Sequence, residues 1–221
     1  MKLFVNALTK YLVGLLLVCA LVFLPAGTLG YFGGWLFISL LFLPMLILGV
    51  VLFIKSPALL EKRLNAKEKQ KAQKGVTAGA GLVFISGFVV AGLDFRFGWS
   101  NVPFGVVIVA AVVLLVSYGL YAEVMRENEF LSRTIEVQDG QHVVDSGLYG
   151  VVRHPMYAVT LLLFFSIPIV LGSWWSVLCF LPYVVAIAVR IVYEEKLLER
   201  ELDGYVEYKA RVKYRLIPFI W

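Results

Sequence analysis

Charged residues are scarce in this chain. Only 16% of its 221 residues are Asp, Glu, Lys or Arg, whereas about a quarter is typical of a soluble domain. The chain is 61% hydrophobic, with a mean hydropathy of +0.86. Because the apolar residues form long blocks, one water-soluble core cannot hold them all. The composition therefore excludes an ordinary soluble domain and predicts a polytopic integral membrane protein.

Cysteine and histidine are also rare. The two cysteines, Cys19 and Cys179, lie inside apolar runs and outside any C-x-x-C pattern. We interpret them as small buried apolar residues that form no disulfide. The two histidines, His142 and His154, have no third ligand partner in a recognisable pattern. A catalytic metal is therefore not expected.

Several common enzyme motifs are missing from the sequence. There is no G-x-G-x-x-G after a strand, which excludes an ordinary Rossmann cofactor site. A Walker A motif, H-E-x-x-H and G-x-S-x-G are likewise absent. No predicted membrane span carries an ionisable residue near its centre, which counts against an ion pump or a carrier.

Long apolar runs are abundant instead. Four of them approach the roughly 20 residues that a helix needs to cross a bilayer. A fifth run is interrupted by Pro168 and by Gly172-Ser173, and it is too short for two full spans and a turn. We interpret it as a helical hairpin with short arms. The four predicted spans are residues 11–29, 35–54, 76–93 and 103–121, and the hairpin is residues 157–189.

The predicted fold is therefore an all-α membrane bundle in two parts. Residues 1–122 form four transmembrane helices with a basic cytoplasmic loop at 55–75. Residues 123–221 contain a polar stretch, the hairpin 157–189 and, from Arg190 onward, a cytoplasmic amphipathic helix. The aromatic, charged end of this second part is typical of either a lid or an interfacial anchor.

The basic residues indicate an orientation. Every Lys and Arg except Arg96 falls in a segment that four spans and a hairpin place on one side of the membrane. The positive-inside rule assigns that side to the cytoplasm. Both termini and the polar stretches are therefore predicted to be cytoplasmic.

Two polar clusters flank the hairpin. Arg153 and His154 precede Pro155, which suits the first turn of a helix, where exposed N–H groups favour a carboxylate. Beyond the hairpin, Arg190 and Glu194 are four residues apart and share one helix face. Separately, the clusters are as consistent with a basic membrane anchor and a weak surface salt bridge. Because folding the hairpin brings them together, we predict that they form one polar pocket.

At these residues the sequence resembles a known family. The ordered pattern resembles the isoprenylcysteine carboxyl methyltransferases, and phospholipid N-methyltransferases share its core. The resemblance covers about residues 130–218. It implies an integral membrane enzyme that uses S-adenosyl-L-methionine in a pocket without a Rossmann sheet. The pattern comprises Gly147-Leu-Tyr149, Val152-Arg-His-Pro-Met-Tyr157, Arg190 with Glu194-Glu195, Tyr205 and Tyr208, and Arg215-Leu-Ile-Pro218.

The resemblance also implies roles for individual residues. Arg190 would bind a substrate carboxylate, and Arg190, Glu194 and Arg153 are the catalytic candidates. The implied cofactor pocket is formed by Gln141, His142, Val143, Val144, Tyr149, His154, Pro155, Met156, Tyr157 and Glu194.

The methyl acceptor is the least constrained part of this prediction. A lipophilic molecule or membrane lipid with a carboxylate head is the first candidate, and a carboxylate needs no general base because it is ionised at pH 7. An amine or thiol acceptor must lose a proton, for which His154 or a glutamate would be the acceptor. No sequence feature indicates recognition of a prenyl group, and no nucleic-acid partner is expected.

Two alternatives belong to other classes of protein. One is a membrane reductase similar to the sterol reductases, which would need a nicotinamide site. The other is a non-catalytic scaffold or transporter, for which Glu194→Gln and Arg190→Ala would leave function intact.

Overall fold

The computed structural model describes residues 2–64, 71–131 and 136–221. Within these ranges the regular structure is helical, and the predicted all-α fold is confirmed. A short 3₁₀ helix, Gly147–Gly150, precedes the sixth α-helix. The helices are α1 Lys2–Ala26, α2 Phe32–Lys55, α3 Pro57–Leu64, α4 Lys71–Phe97, α5 Phe104–Glu127, α6 Pro155–Val170, α7 Trp174–Glu201 and α8 Tyr205–Arg211.

Four helices of the described part are long and apolar enough to cross a membrane, namely α1, α2, α5 and α7. The predicted spans 11–29, 35–54 and 103–121 correspond to α1, α2 and α5. The predicted span 76–93 lies in α4, where most side chains before residue 81 are outside the described residues. The predicted basic loop 55–75 is not a continuous loop, because residues 57–64 form α3 and residues 71–75 belong to α4. Residues 65–70 of this segment lie outside the described residues.

The predicted hairpin is formed by α6 and α7, but its two arms differ in length. With 16 residues, α6 is about 24 Å long, whereas α7 has 28 residues and reaches about 42 Å. The expectation of two short arms therefore does not hold for α7. This helix continues past the apolar run to Glu201 because its last turns contain good helix formers, mainly Leu, Glu, Lys and Arg. The predicted amphipathic segment is thus the end of α7 followed by α8.

Glycines allow the long helices to approach closely. A Cβ atom on Gly92 of α4 would lie 2.6 Å from the carbonyl oxygen of Val22 in α1. A Cβ atom on Gly87 would lie 2.3 Å from the ring of Phe180 in α7. Small residues at such crossings are typical of membrane helices. They place α4 between α1 and α7, while α5 packs along α6.

A buried carboxylate fixes the turn of the hairpin. Asp94, at the end of α4, is only 1% exposed. It accepts hydrogen bonds from the backbone N–H and the hydroxyl of Ser100, each at 2.6 Å, and from the hydroxyl of Ser173. An open cavity of about 320 Å³ lies beside Asp94 and Tyr31. It is at the opposite end of α6 from His154, so it is separate from the predicted pocket.

Candidate functional site

The turn at residues 153–155 is buried and begins α6. Pro155 occupies the first helical position, as predicted. The Arg153 guanidinium donates from Nε to Glu195 Oε1 at 2.7 Å. Its Nη1 donates to the carbonyl oxygens of Val212 and Lys213 at 2.7 and 2.9 Å. Arg153 therefore connects α6, α7 and the segment after α8, and these contacts show it as an organising residue of the turn.

Glu195 is the centre of this turn. Its carboxylate, on a residue 2% exposed, also accepts from Arg215 Nε at 2.8 Å and lies 3.3 Å from His154 Nε2. A carboxylate paired with two guanidiniums can only accept hydrogen bonds, so the network assigns the proton of His154 to Nε2. The other ring nitrogen, Nδ1, is then the one whose lone pair can accept a proton.

The segment 212–215 lies against the same turn. Arg153 N donates to the carbonyl oxygen of Tyr214, and His154 N donates to that of Arg215, both at 2.9 Å. The Arg215 guanidinium is 5.0 Å from the ring centre of Trp221. Backbone hydrogen bonds thus hold residues 214 and 215 against the start of α6.

The second predicted cluster is connected through Tyr157. Arg190 Nε donates to the Tyr157 hydroxyl at 2.9 Å, and this hydroxyl donates to Glu194 Oε2 at 2.5 Å. Arg190 and Glu194 are half-buried on α7, and Tyr157 lies in the first turn of α6. The two clusters that flank the hairpin are therefore adjacent in the fold. Glu194 faces Tyr157, whereas the next residue, Glu195, faces the buried turn.

Tyr149 supports the site from the 3₁₀ helix. Its hydroxyl accepts from Asn128 Nδ2 at 3.0 Å, and its carbonyl oxygen accepts from the Tyr208 hydroxyl at 2.7 Å. Its buried ring packs in an apolar cluster that also contains Val144 and Met156. Three predicted pocket residues thus share one apolar wall.

The remaining predicted pocket residues lie nearer the surface. The Gln141 side chain accepts from Gln138 N at 2.9 Å and closes a local turn. His142 is exposed, and its ring packs edge-on against Phe130, with ring centres 5.0 Å apart. Val143 packs against a buried cluster formed by Leu202, Tyr205 and Tyr208. The structure therefore packs Val143 beside Tyr205 and leaves His142 exposed at the surface.

Tyr205 belongs to the ordered sequence pattern but is not among the predicted site residues. It is 4% exposed, and its hydroxyl is buried with no hydrogen-bond partner in the described part of the chain. Burial raises the pKa of this hydroxyl, and the negative charges of Glu195 and Glu194 raise it further. Tyr205 is therefore a neutral hydroxyl near both carboxylates.

Sequence reasoning also missed Glu195 and Arg215 as a pair. Both residues belong to the ordered sequence pattern, and their presence in it is the one sequence feature that could have indicated a role. Consecutive residues of a helix point about 100° apart, so the sequence indicated only that Glu194 and Glu195 face different surroundings. The contact with Arg215 is made across α8 and its flanking turns, which no local pattern predicts.

Residues 101–203 match the model of a family described as phospholipid methyltransferase. The matched region contains α5, the buried turn, α6 and α7, and it confirms the predicted resemblance. No individual protein of curated function gives a significant match. The family match supports a membrane methyltransferase of the phospholipid or isoprenylcysteine carboxyl methyltransferase kind.

Proposed function

We propose that the protein transfers a methyl group from S-adenosylmethionine to a carboxylate, or another polar head, of a lipophilic substrate. The observation that carries this proposal is the hydrogen-bonded chain Arg190–Tyr157–Glu194. It places a cation and a carboxylate side by side where the apolar bundle meets the polar segments. The family match favours this function over the reductase and scaffold alternatives.

The residues present fit the cofactor. Its methionine end carries an ammonium and a carboxylate, and Glu194 supplies an acceptor for the first. The buried Tyr205 hydroxyl supplies a further polar contact that no described residue satisfies. Val144 and Met156 supply apolar walls for the remainder. Within the described ranges, no group of three or more His, Cys, Asp or Glu could hold a metal ion.

The chain itself mainly has to align the reactants. Bound S-adenosylmethionine would supply a methyl group that its sulfonium charge already activates. Arg190 would hold an ionised carboxylate by charge-assisted hydrogen bonds, and Tyr157 fixes the guanidinium at Nε. The buried turn and the segment 212–215 would keep water from the reacting atoms, because alignment and water exclusion are the main demands of an in-line displacement.

A phospholipid amine is the second candidate acceptor, and the description of the matched family favours it. An ammonium group must lose a proton before it can accept a methyl group. Because His154 Nε2 is held by Glu195, Nδ1 would be the nitrogen that accepts this proton. With an amine acceptor, activity should therefore depend on His154 beyond any effect on cofactor binding.

The test is calorimetric binding of S-adenosylhomocysteine, the product form of the cofactor, to detergent-purified protein. We expect wild-type binding to be lost in Glu194→Gln and in His154→Ala. Glu199→Gln is the matched control, because it makes the same change at an exposed position of α7. A folded wild-type protein that does not bind S-adenosylhomocysteine would overturn the proposal, and NADPH would be the next ligand to test.

A further inference from the structure

The buried hydroxyl of Tyr205 needs a physical explanation. Buried hydroxyl groups in proteins are nearly always hydrogen-bonded, because an unsatisfied buried hydroxyl destabilises the fold. Of the buried side-chain nitrogen and oxygen atoms in the described residues, this hydroxyl oxygen is the one without a partner. Its neighbour on the same helix, Tyr208, donates to the carbonyl oxygen of Tyr149 at 2.7 Å. Two buried tyrosines of the same helix therefore differ in whether their hydroxyl has a hydrogen-bond partner.

The surroundings of Tyr205 point to the candidate cofactor site. It belongs, with Leu202 and Tyr208, to a buried cluster against which Val143 and Leu198 pack. Its hydroxyl is close enough to Glu195 and Glu194 for both carboxylates to act on it electrostatically. Val143 and Glu194 are predicted cofactor residues from two separate segments of the chain. Tyr205 packs near Val143 and lies within the electrostatic reach of Glu194.

The two neighbouring carboxylates are engaged by other groups. Glu195 receives Arg153 and Arg215 on its two oxygens. Glu194 receives the Tyr157 hydroxyl on Oε2. Neither carboxylate accepts a hydrogen bond from Tyr205. Its hydroxyl is therefore a neutral donor near Glu194 and Glu195 that remains available to a ligand. A ligand with an acceptor for the Tyr205 hydroxyl and a neighbouring cation for Glu194 would pair with both side chains.

We propose that Tyr205 is a further cofactor-binding residue, whose hydroxyl donates to the carboxylate of the amino-acid end of S-adenosylmethionine while Glu194 accepts from the adjacent ammonium. This inference rests on the proposed function. It assigns the amino-acid end of the cofactor to the space between α7 and α8.

The experiment compares Tyr205→Phe with Tyr208→Phe. Each substitution removes one hydroxyl from a buried ring of α8, but only Tyr208 loses a hydrogen bond within the protein. Calorimetry would measure the binding of S-adenosylhomocysteine and of 5′-methylthioadenosine, which lacks the amino-acid end. Thermal unfolding without ligand would be measured for the same two variants in the same detergent.

For Tyr205→Phe we expect roughly tenfold weaker binding of S-adenosylhomocysteine, the loss typical of one hydrogen bond to a charged group. Binding of 5′-methylthioadenosine should be unchanged. The melting temperature without ligand should equal or exceed that of wild type, because no protein hydrogen bond is lost. Tyr208→Phe should instead melt at a lower temperature.

Three results would overturn the inference alone while wild type still binds S-adenosylhomocysteine. These are equal binding by Tyr205→Phe and wild type, equal loss of both probes, and a lower melting temperature for Tyr205→Phe, which would show that the hydroxyl stabilises the protein itself. Wild-type protein that binds neither probe would overturn the proposed function and, with it, this inference.

Discussion

The Arg153 guanidinium donates from Nε to Glu195 Oε1 at 2.7 Å, and the two side chains are only 5% and 3% exposed. This pair joins the start of α6 to the last turns of α7. Arg215 donates to the other carboxylate oxygen at 2.8 Å and adds the segment after α8. The geometry of the candidate site therefore depends on a buried ion cluster next to the residues that would contact ligands.

Removing the carboxylate should destabilise the protein strongly. Glu195→Ala leaves the Arg153 charge buried without compensation, and breaking a buried pair in this way costs about 3–5 kcal/mol. Denaturant unfolding in detergent would measure the change in the free energy of unfolding. Glu199 lies on the same helix as Glu195, and its exposed side chain pairs with Lys209. Glu199→Ala should cost about 0–1 kcal/mol. Equal stabilities of the two variants would contradict the role given to Glu195.

Substitutions of Arg190 and Glu194 should weaken the binding of different ligands, although Tyr157 hydrogen-bonds to both side chains. Arg190→Ala should raise KM for a carboxylate acceptor by roughly 10- to 100-fold, because charge-assisted hydrogen bonds are lost. Binding of S-adenosylhomocysteine should change little, in contrast with Glu194→Gln. Steady-state kinetics with a prenylated cysteine, beside calorimetry, would separate the two effects. An Arg190→Ala protein that loses cofactor binding and keeps its KM would reverse the assignment.

The orientation in the membrane is a prediction from charge. Since every Lys and Arg except Arg96 falls on one predicted side, we expect that side to be cytoplasmic. Alkaline phosphatase, which is active only after export, should be inactive when fused after Trp221 and active when fused after Gly98. The opposite pattern of activity would place the candidate site on the outer side.

Much of the fold was predictable because its signals are local. The length of an apolar run reports a membrane helix, and three predicted spans correspond to α1, α2 and α5. The adjacency of the Arg153 and Arg190 clusters was predictable too. They lie at the start of α6 and in the later turns of α7, which are consecutive helices, so chain connectivity brings them together.

The sequence by itself determined that this is a helical membrane protein with its polar groups gathered at the ends of one hairpin, because composition, run length and connectivity suffice for that. Only the tertiary structure decided which neighbouring glutamate meets which partner. Glu194 faces Tyr157 and Glu195 faces Arg153, since adjacent helical residues point about 100° apart and packing sets the rotation of α7. It also decided that Tyr205 is buried near both carboxylates, because that position depends on how α8 folds back across the chain.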